Sequence, residues 1–159
     1  MSDMHCEHNG SIYKIKKRNG GFIITSHIKE DGFTNYIDVL GKEHIDFYMK
    51  SVNIDELDVI YKEDVFIKYQ EEYFQLFADK ILKNAVLNNS YMIWTNSEQL
   101  AQDYVFEKKE QFVFIKYITR EEIEAVKIVK EPILDFKDIE PAEEILEGVA
   151  LDKWLSELT

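Results

Sequence analysis

The chain has 159 residues and a formal net charge of −12, with 31 acidic residues against 19 Lys and Arg. Only Arg18 and Arg120 are arginines, Cys6 is the single cysteine, and apolar residues make up 45%. This argues against a general nucleic-acid binder, which neutralises phosphates with Lys and Arg. It also excludes an internal disulfide framework and a Cys-rich zinc site, while 13% aromatics with few Gly and Pro argue against disorder.

The length suits one domain spanning 1–159, with flexibility expected over residues 1–10. Such a chain buries roughly 70% of its unfolded surface, enough for a core without metal or disulfides. The start Met1–His8 has no basic region followed by an apolar run. No apolar stretch reaches the roughly 18 residues that span a membrane. A cytoplasmic protein with a free Cys6 thiol is expected. Ile, Lys, Asn, Phe and Tyr total 63 residues, against 16 for Gly, Ala, Arg and Pro. That bias points to an AT-rich genome such as a low-GC bacterium or its phage.

In chain order, period-2 alternation over residues 11–28 predicts a β-hairpin turning at Asn19-Gly20. A second turn at Lys29–Gly32 leads to a third strand over 36–40. The cations Lys14, Lys16, Lys17 and Arg18 read as guards of a sheet edge. Residues 42–50 suit a short helix. Asn53 with Glu56 has capping-box form, and Val59–Tyr61 reads as helix or strand. Phe66, Tyr69, Tyr73, Phe77 and Ile81 recur at three- and four-residue spacing. That spacing predicts one long amphipathic helix over 64–87.

A buried strand follows at 91–94. Thr95 with Glu98 predicts a capped helix through about Glu107. Residues 111–118 carry apolar side chains on both faces, as a central strand does. Thr119–Glu122 caps a short helix, and 126–130 returns as a strand closed by Pro132. Residues 133–140 read as an irregular connector. Pro141 then opens a C-terminal helix with a stop at Gly148 and a last segment over 151–158. The expected class is α+β.

Phosphate-binding glycine motifs and the Gly-x-Ser-x-Gly elbow are absent, and no cofactor is expected. His5-Cys6-x-His8 offers three potential ligands, but a closed zinc site needs about four. With His27 and His44 the only other histidines, no metal site is expected. Adjacent carboxylates such as Glu121-Glu122 and Glu143-Glu144 suit first helical turns, where they compensate the helix dipole. No catalytic residue is assigned.

The acidity is uneven. Residues 1–30 sum to +2, residues 31–130 to −7, and residues 131–159 to −7. An acidic field steers basic partners. Two stretches are candidate partner-binding surfaces. One comprises Asp55, Glu56, Asp58, Glu63, Asp64, Glu71 and Glu72. The other comprises Glu140, Glu143, Glu144, Glu147 and Asp152 with Trp154. Tyr61, Tyr69 and Tyr73 lie close to acids along the chain and suit interface anchors. The expected function is that of an intracellular bacterial immunity or antitoxin-type inhibitor. It would neutralise a basic toxin, such as a nuclease, without contacting nucleic acid or membrane. An alternative is a small hydrolase or transferase assembled from His27, His44, Asp38 and Glu72. A third reading is a nucleic-acid mimic, which interspersed Lys62, Lys68, Lys80 and Lys83 would disrupt.

Overall fold

A computed structural model of the chain describes residues 3–77 and 82–157. Strands account for 51% of them, mostly antiparallel, and the three α-helices are short. The α+β expectation is therefore overturned: this is a β protein. The chain divides into two compact units, Ser2–Glu63 with Lys130–Pro141, and Asp64–Val129 with Ala142–Thr159.

The N-terminal unit contains β1 (Asp3–His8), β2 (Ser11–Arg18), β3 (Gly21–Ser26), β4 (Thr34–Ile37), β5 (Glu43–Val52) and the start of β6 (Val59–Tyr69). Their order is β4-β5-β3-β2-β1-β6, antiparallel at each step. Two Asn-Gly turns set the register. Asn9-Gly10 has φ of 52° and 80°, and Asn19-Gly20 has 51° and 80°. Two consecutive positive φ values define the type I′ turn, whose twist matches that of the flanking strands. The first of these turns gives residues 3–8 a place as β1 between β2 and β6, in the stretch where flexibility was expected.

The helix expected over 42–50 is β5. Phe22 pairs with Val52, Ile24 with Lys50 and Ser26 with Tyr48. Tyr48 and Val52 thus join Cys6, Ile15, Ile24 and Ile60 in the core of this unit. The 3-10 turn Ile54–Glu56 has the capping box anticipated at Asn53, with the Asn53 N–H donating to Glu56 Oε1 at 3.1 Å.

The C-terminal unit contains the rest of β6, then β7 (Glu72–Leu76), α1 (Leu82–Asn88), β8 (Tyr91–Thr95), α2 (Glu98–Asp103), β9 (Glu107–Glu110), β10 (Val113–Ile118), β11 (Ala125–Pro132) up to Val129, β12 (Ala142–Leu146) and α3 (Gly148–Ser156). The order is β6-β7-β8-β10-β9, with β11 pairing β6 and β12. The long helix expected over 64–87 does not exist. Its first part is the hairpin β6–β7, in which Ile67 pairs with Phe74 and Tyr69 with Glu72. Only Leu82–Asn88 is helical, and residues 78–81 of the expected helix lie outside the described residues.

Two boundaries also move. Ser97, not Thr95, caps α2, its hydroxyl accepting from the Leu100 N–H at 3.2 Å. Pro141 precedes a strand, and Gly148 starts α3 instead of stopping a helix. The core of this unit gathers Ile67, Phe74, Tyr91, Ile93, Ile118 and Val126 with Leu151 and Leu155 of α3. Among the described residues no helix is long and apolar enough to cross a membrane.

Candidate functional site

The turn joining β6 to β7 is Gln70-Glu71, with φ of 47° and 70°. Neither residue favours the left-handed region, so each contributes strain. Two contacts hold the turn. The Glu71 N–H donates to Glu124 Oε1 at 2.6 Å, and the Tyr104 hydroxyl approaches Gln70 O at 3.4 Å. Tyr104 ends α2 and packs edge-on against Phe74, with ring centroids 5.1 Å apart. Burial pushes its phenol above the ordinary 10.0, and the carboxylates of Glu72, Asp103, Glu71 and Glu124 push it further. The charges of these four carboxylates all act on one aromatic hydroxyl. The next residue, Val105, has φ of 59° and is 75% exposed. A β-branched residue in this region is strained, and here it holds an apolar side chain in solvent beside the acids.

Of this cluster, Glu71 and Glu72 were legible in the sequence. Asp103, Tyr104, Val105 and Glu124 were not, because three separate segments bring them together. The other proposed residues are dispersed. In the N-terminal unit, Asp55 and Glu56 sit exposed on the 3-10 turn, with exposed Asp58 after it, while Glu63 is half-buried on β6 and Glu140 is exposed. In the C-terminal unit, half-buried Asp64 accepts from Gln75 Nε2 at 3.0 Å. Glu143 and Glu144 are exposed on β12, and Glu147 precedes α3. Asp152 accepts from Arg120 Nε at 2.8 Å, and Trp154 packs against the core.

The residues of the enzymatic alternative are partly assembled. His44 Nε2 lies 3.1 Å from Asp38 Oδ2. A run of rings connects His27, Phe47, Tyr36 and His44, with successive centroids 4.9, 4.9 and 5.4 Å apart. Lys16 and Arg18 donate to the Tyr36 hydroxyl at 3.0 and 3.1 Å, and the Lys16 bond leads in lowering that phenol's pKa. Asp38, however, organises its own turn, because Oδ1 accepts the N–H groups of Leu40 and Lys42. Ser26 Oγ accepts the Ile28 N–H. Glu72 lies on β7 of the other unit.

The His5-Cys6-x-His8 stretch is a strand, and alternation along β1 parts its members. Cys6 is fully buried, and burial pushes its thiol up to about 11. His8 is buried and its Nδ1 donates to the Glu56 carbonyl at 3.1 Å. His5 instead stacks on Tyr61 at 5.7 Å. Among the described residues no group of three or more His, Cys, Asp or Glu could hold a metal ion.

The fold and these surfaces define a mostly antiparallel β protein with an acidic, aromatic-centred rim. Residues 1–134 match the family described as uncharacterised conserved protein UCP033725, and the chain belongs to that family. No curated protein and no solved structure matches the chain significantly.

Proposed function

We propose that this protein is an acidic binding module whose partner is a basic protein. The model for its action is an immunity or antitoxin-type inhibitor that neutralises a cationic toxin such as a nuclease. One observation carries the reading: Tyr104 reaches the Gln70-Glu71 turn that Glu124 holds, within the field of Glu71, Glu72, Asp103 and Glu124, and the next residue, Val105, is exposed. Interface hot spots combine a central aromatic or apolar anchor with a polar rim. Carboxylates around such an anchor attract Lys and Arg and raise the encounter rate. The net charge of −12 extends the same attraction over the molecule.

The test screens the products of the neighbouring open reading frames for a basic binder and titrates it calorimetrically at low and at high salt. The affinity is expected to fall as salt rises, and to fall at least tenfold in a Glu72→Lys/Asp103→Lys variant. Equal affinity at both salt concentrations, or full affinity in the charge-reversed variant, would overturn the reading.

A further inference from the structure

The two arginines of this chain differ in their partners. Arg120 faces a carboxylate, its Nε donating to Asp152 Oδ1 at 2.8 Å. Arg18 does not. Its guanidinium donates to the Ile37 carbonyl and, at 3.1 Å, to the Tyr36 hydroxyl. Lys16 Nζ donates to the same hydroxyl at 3.0 Å. Among the described residues neither Lys16 nor Arg18 forms an ion pair with a carboxylate. In a chain where acids outnumber Lys and Arg by 31 to 19, two cations therefore meet on one phenol oxygen with no counter-charge.

The strands explain the meeting. Lys16 and Arg18 are two apart on β2 and share a face. Both reach past β3 and β5 to Tyr36 on β4, where they also lie 4.8 and 5.1 Å from its ring centroid. The acid nearest in sequence, Asp38, is engaged elsewhere: Oδ1 accepts the Leu40 and Lys42 N–H groups, and Oδ2 lies 3.1 Å from His44 Nε2. The Tyr36 oxygen accepts from both cations, and among the described residues no protein acceptor takes its own O–H. Lys16 retains further N–H donors and Arg18 its Nε–H. Beside Arg18 lies a groove of about 430 Å³ walled by Asn19, Ile23, Met49, Ser51 and Asn53, with Arg18 the single charged residue lining it. Gly21, paired with Arg18 across β2 and β3, brings no side chain into it. Small-molecule sites have this size and combine apolar walls with a few polar groups.

We propose that Lys16, Arg18 and Tyr36 hold the phosphoryl group of a small phosphate monoester, whose body lies in the groove beside Arg18. Two cations match a dianion, and donors converging from two strands suit a tetrahedral group with several acceptor oxygens better than a planar carboxylate. The net charge of −12 repels a polyanion, which rules out a nucleic-acid backbone as the source of the phosphate. The site belongs to the N-terminal unit and does not rest on the acidic rim around Tyr104.

Calorimetric titration with phenyl phosphate and with inorganic phosphate tests it, against sodium chloride at matched ionic strength. Phenyl phosphate is expected to bind saturably, and more tightly than inorganic phosphate because its ring enters the groove. Lys16→Gln and Tyr36→Phe are each expected to weaken it by about tenfold, the loss of one charge-assisted hydrogen bond. Lys16 is exposed, and Tyr36→Phe keeps the ring that packs on Phe47 and His44, so both variants should retain the parent's far-ultraviolet circular dichroism spectrum. If Tyr36→Phe misfolds, Lys16→Gln decides the matter. No saturable binding of phenyl phosphate beyond the salt control, equal affinity for the two phosphates, or full affinity in Lys16→Gln would overturn the proposal.

Discussion

The backbone N–H of Glu71 donates to Glu124 Oε1 at 2.6 Å across 53 residues of sequence. The bond ties the strained tip of the β6–β7 hairpin to the residue just before β11. The adjoining backbone is tied too, since the Glu124 N–H donates to Lys68 O at 2.9 Å. Glu124→Ala removes a charge-assisted acceptor from an exposed site, so a loss of about 1 kcal/mol is expected. Glu124→Gln keeps an acceptor and should lose less. Urea unfolding midpoints measure both, and an alanine variant as stable as the parent would show that the bond contributes nothing.

The same turn predicts a gain. Gln70 and Glu71 both adopt positive φ, a geometry that Asn-Gly adopts at Asn9-Gly10 and Asn19-Gly20 of this chain. Replacing Gln70-Glu71 by Asn-Gly is expected to stabilise the protein by about 1 kcal/mol through relief of backbone strain. A rise in thermal midpoint would report it, and a fall would mean that the native side chains contribute more than the turn strain costs.

This turn also explains why the long helix seemed legible. The tip carries neither Gly nor Asn, so nothing in the sequence separates β6 from β7. The spacing of Phe66, Tyr69, Tyr73 and Phe77 arises from two strands folded against each other. Phe66 and Tyr73 share a cover, because Lys127 Nζ lies 5.3 and 4.3 Å from their ring centroids. The true period is two: Val65, Ile67 and Tyr69 are buried along β6, and Phe74 and Leu76 along β7. At the Asn19-Gly20 turn and at the capping boxes of Asn53 and Thr119 local pattern and structure agree, whereas the box read at Thr95 gives way to a cap at Ser97. The acidic rim was half legible for a related reason. Glu71-Glu72 announce themselves, but their link to Asp103 and Glu124 depends on long-range strand pairing.

Acid titration tests the β4–β5 turn. The hydrogen bond from His44, and then that from the Lys42 N–H, hold the Asp38 carboxyl below its ordinary 3.8. A carboxyl depressed by folding stabilises the folded state fully above its unfolded pKa. That contribution disappears as pH falls through the lower, folded value. Stability curves of the parent and Asp38→Asn are therefore expected to separate above about pH 4 and to converge in stronger acid. A constant gap at all pH values would mean that the turn depends on shape and not on the carboxylate charge.

Residues 135–159 lie beyond the family match, yet α3 is part of a core. Leu151 is completely buried among the apolar residues of the C-terminal unit, and Leu155 is 6% exposed. Leu151→Ala should leave a cavity and reduce stability by about 3 kcal/mol. Val149, two residues earlier and 85% exposed, provides the contrast. Val149→Ala should change stability by no more than about 0.5 kcal/mol. Denaturant unfolding of both variants separates the possibilities. If α3 were an appendage serving only its surface acids, the two substitutions would behave alike, and a large difference assigns the helix to the core that supports the rim.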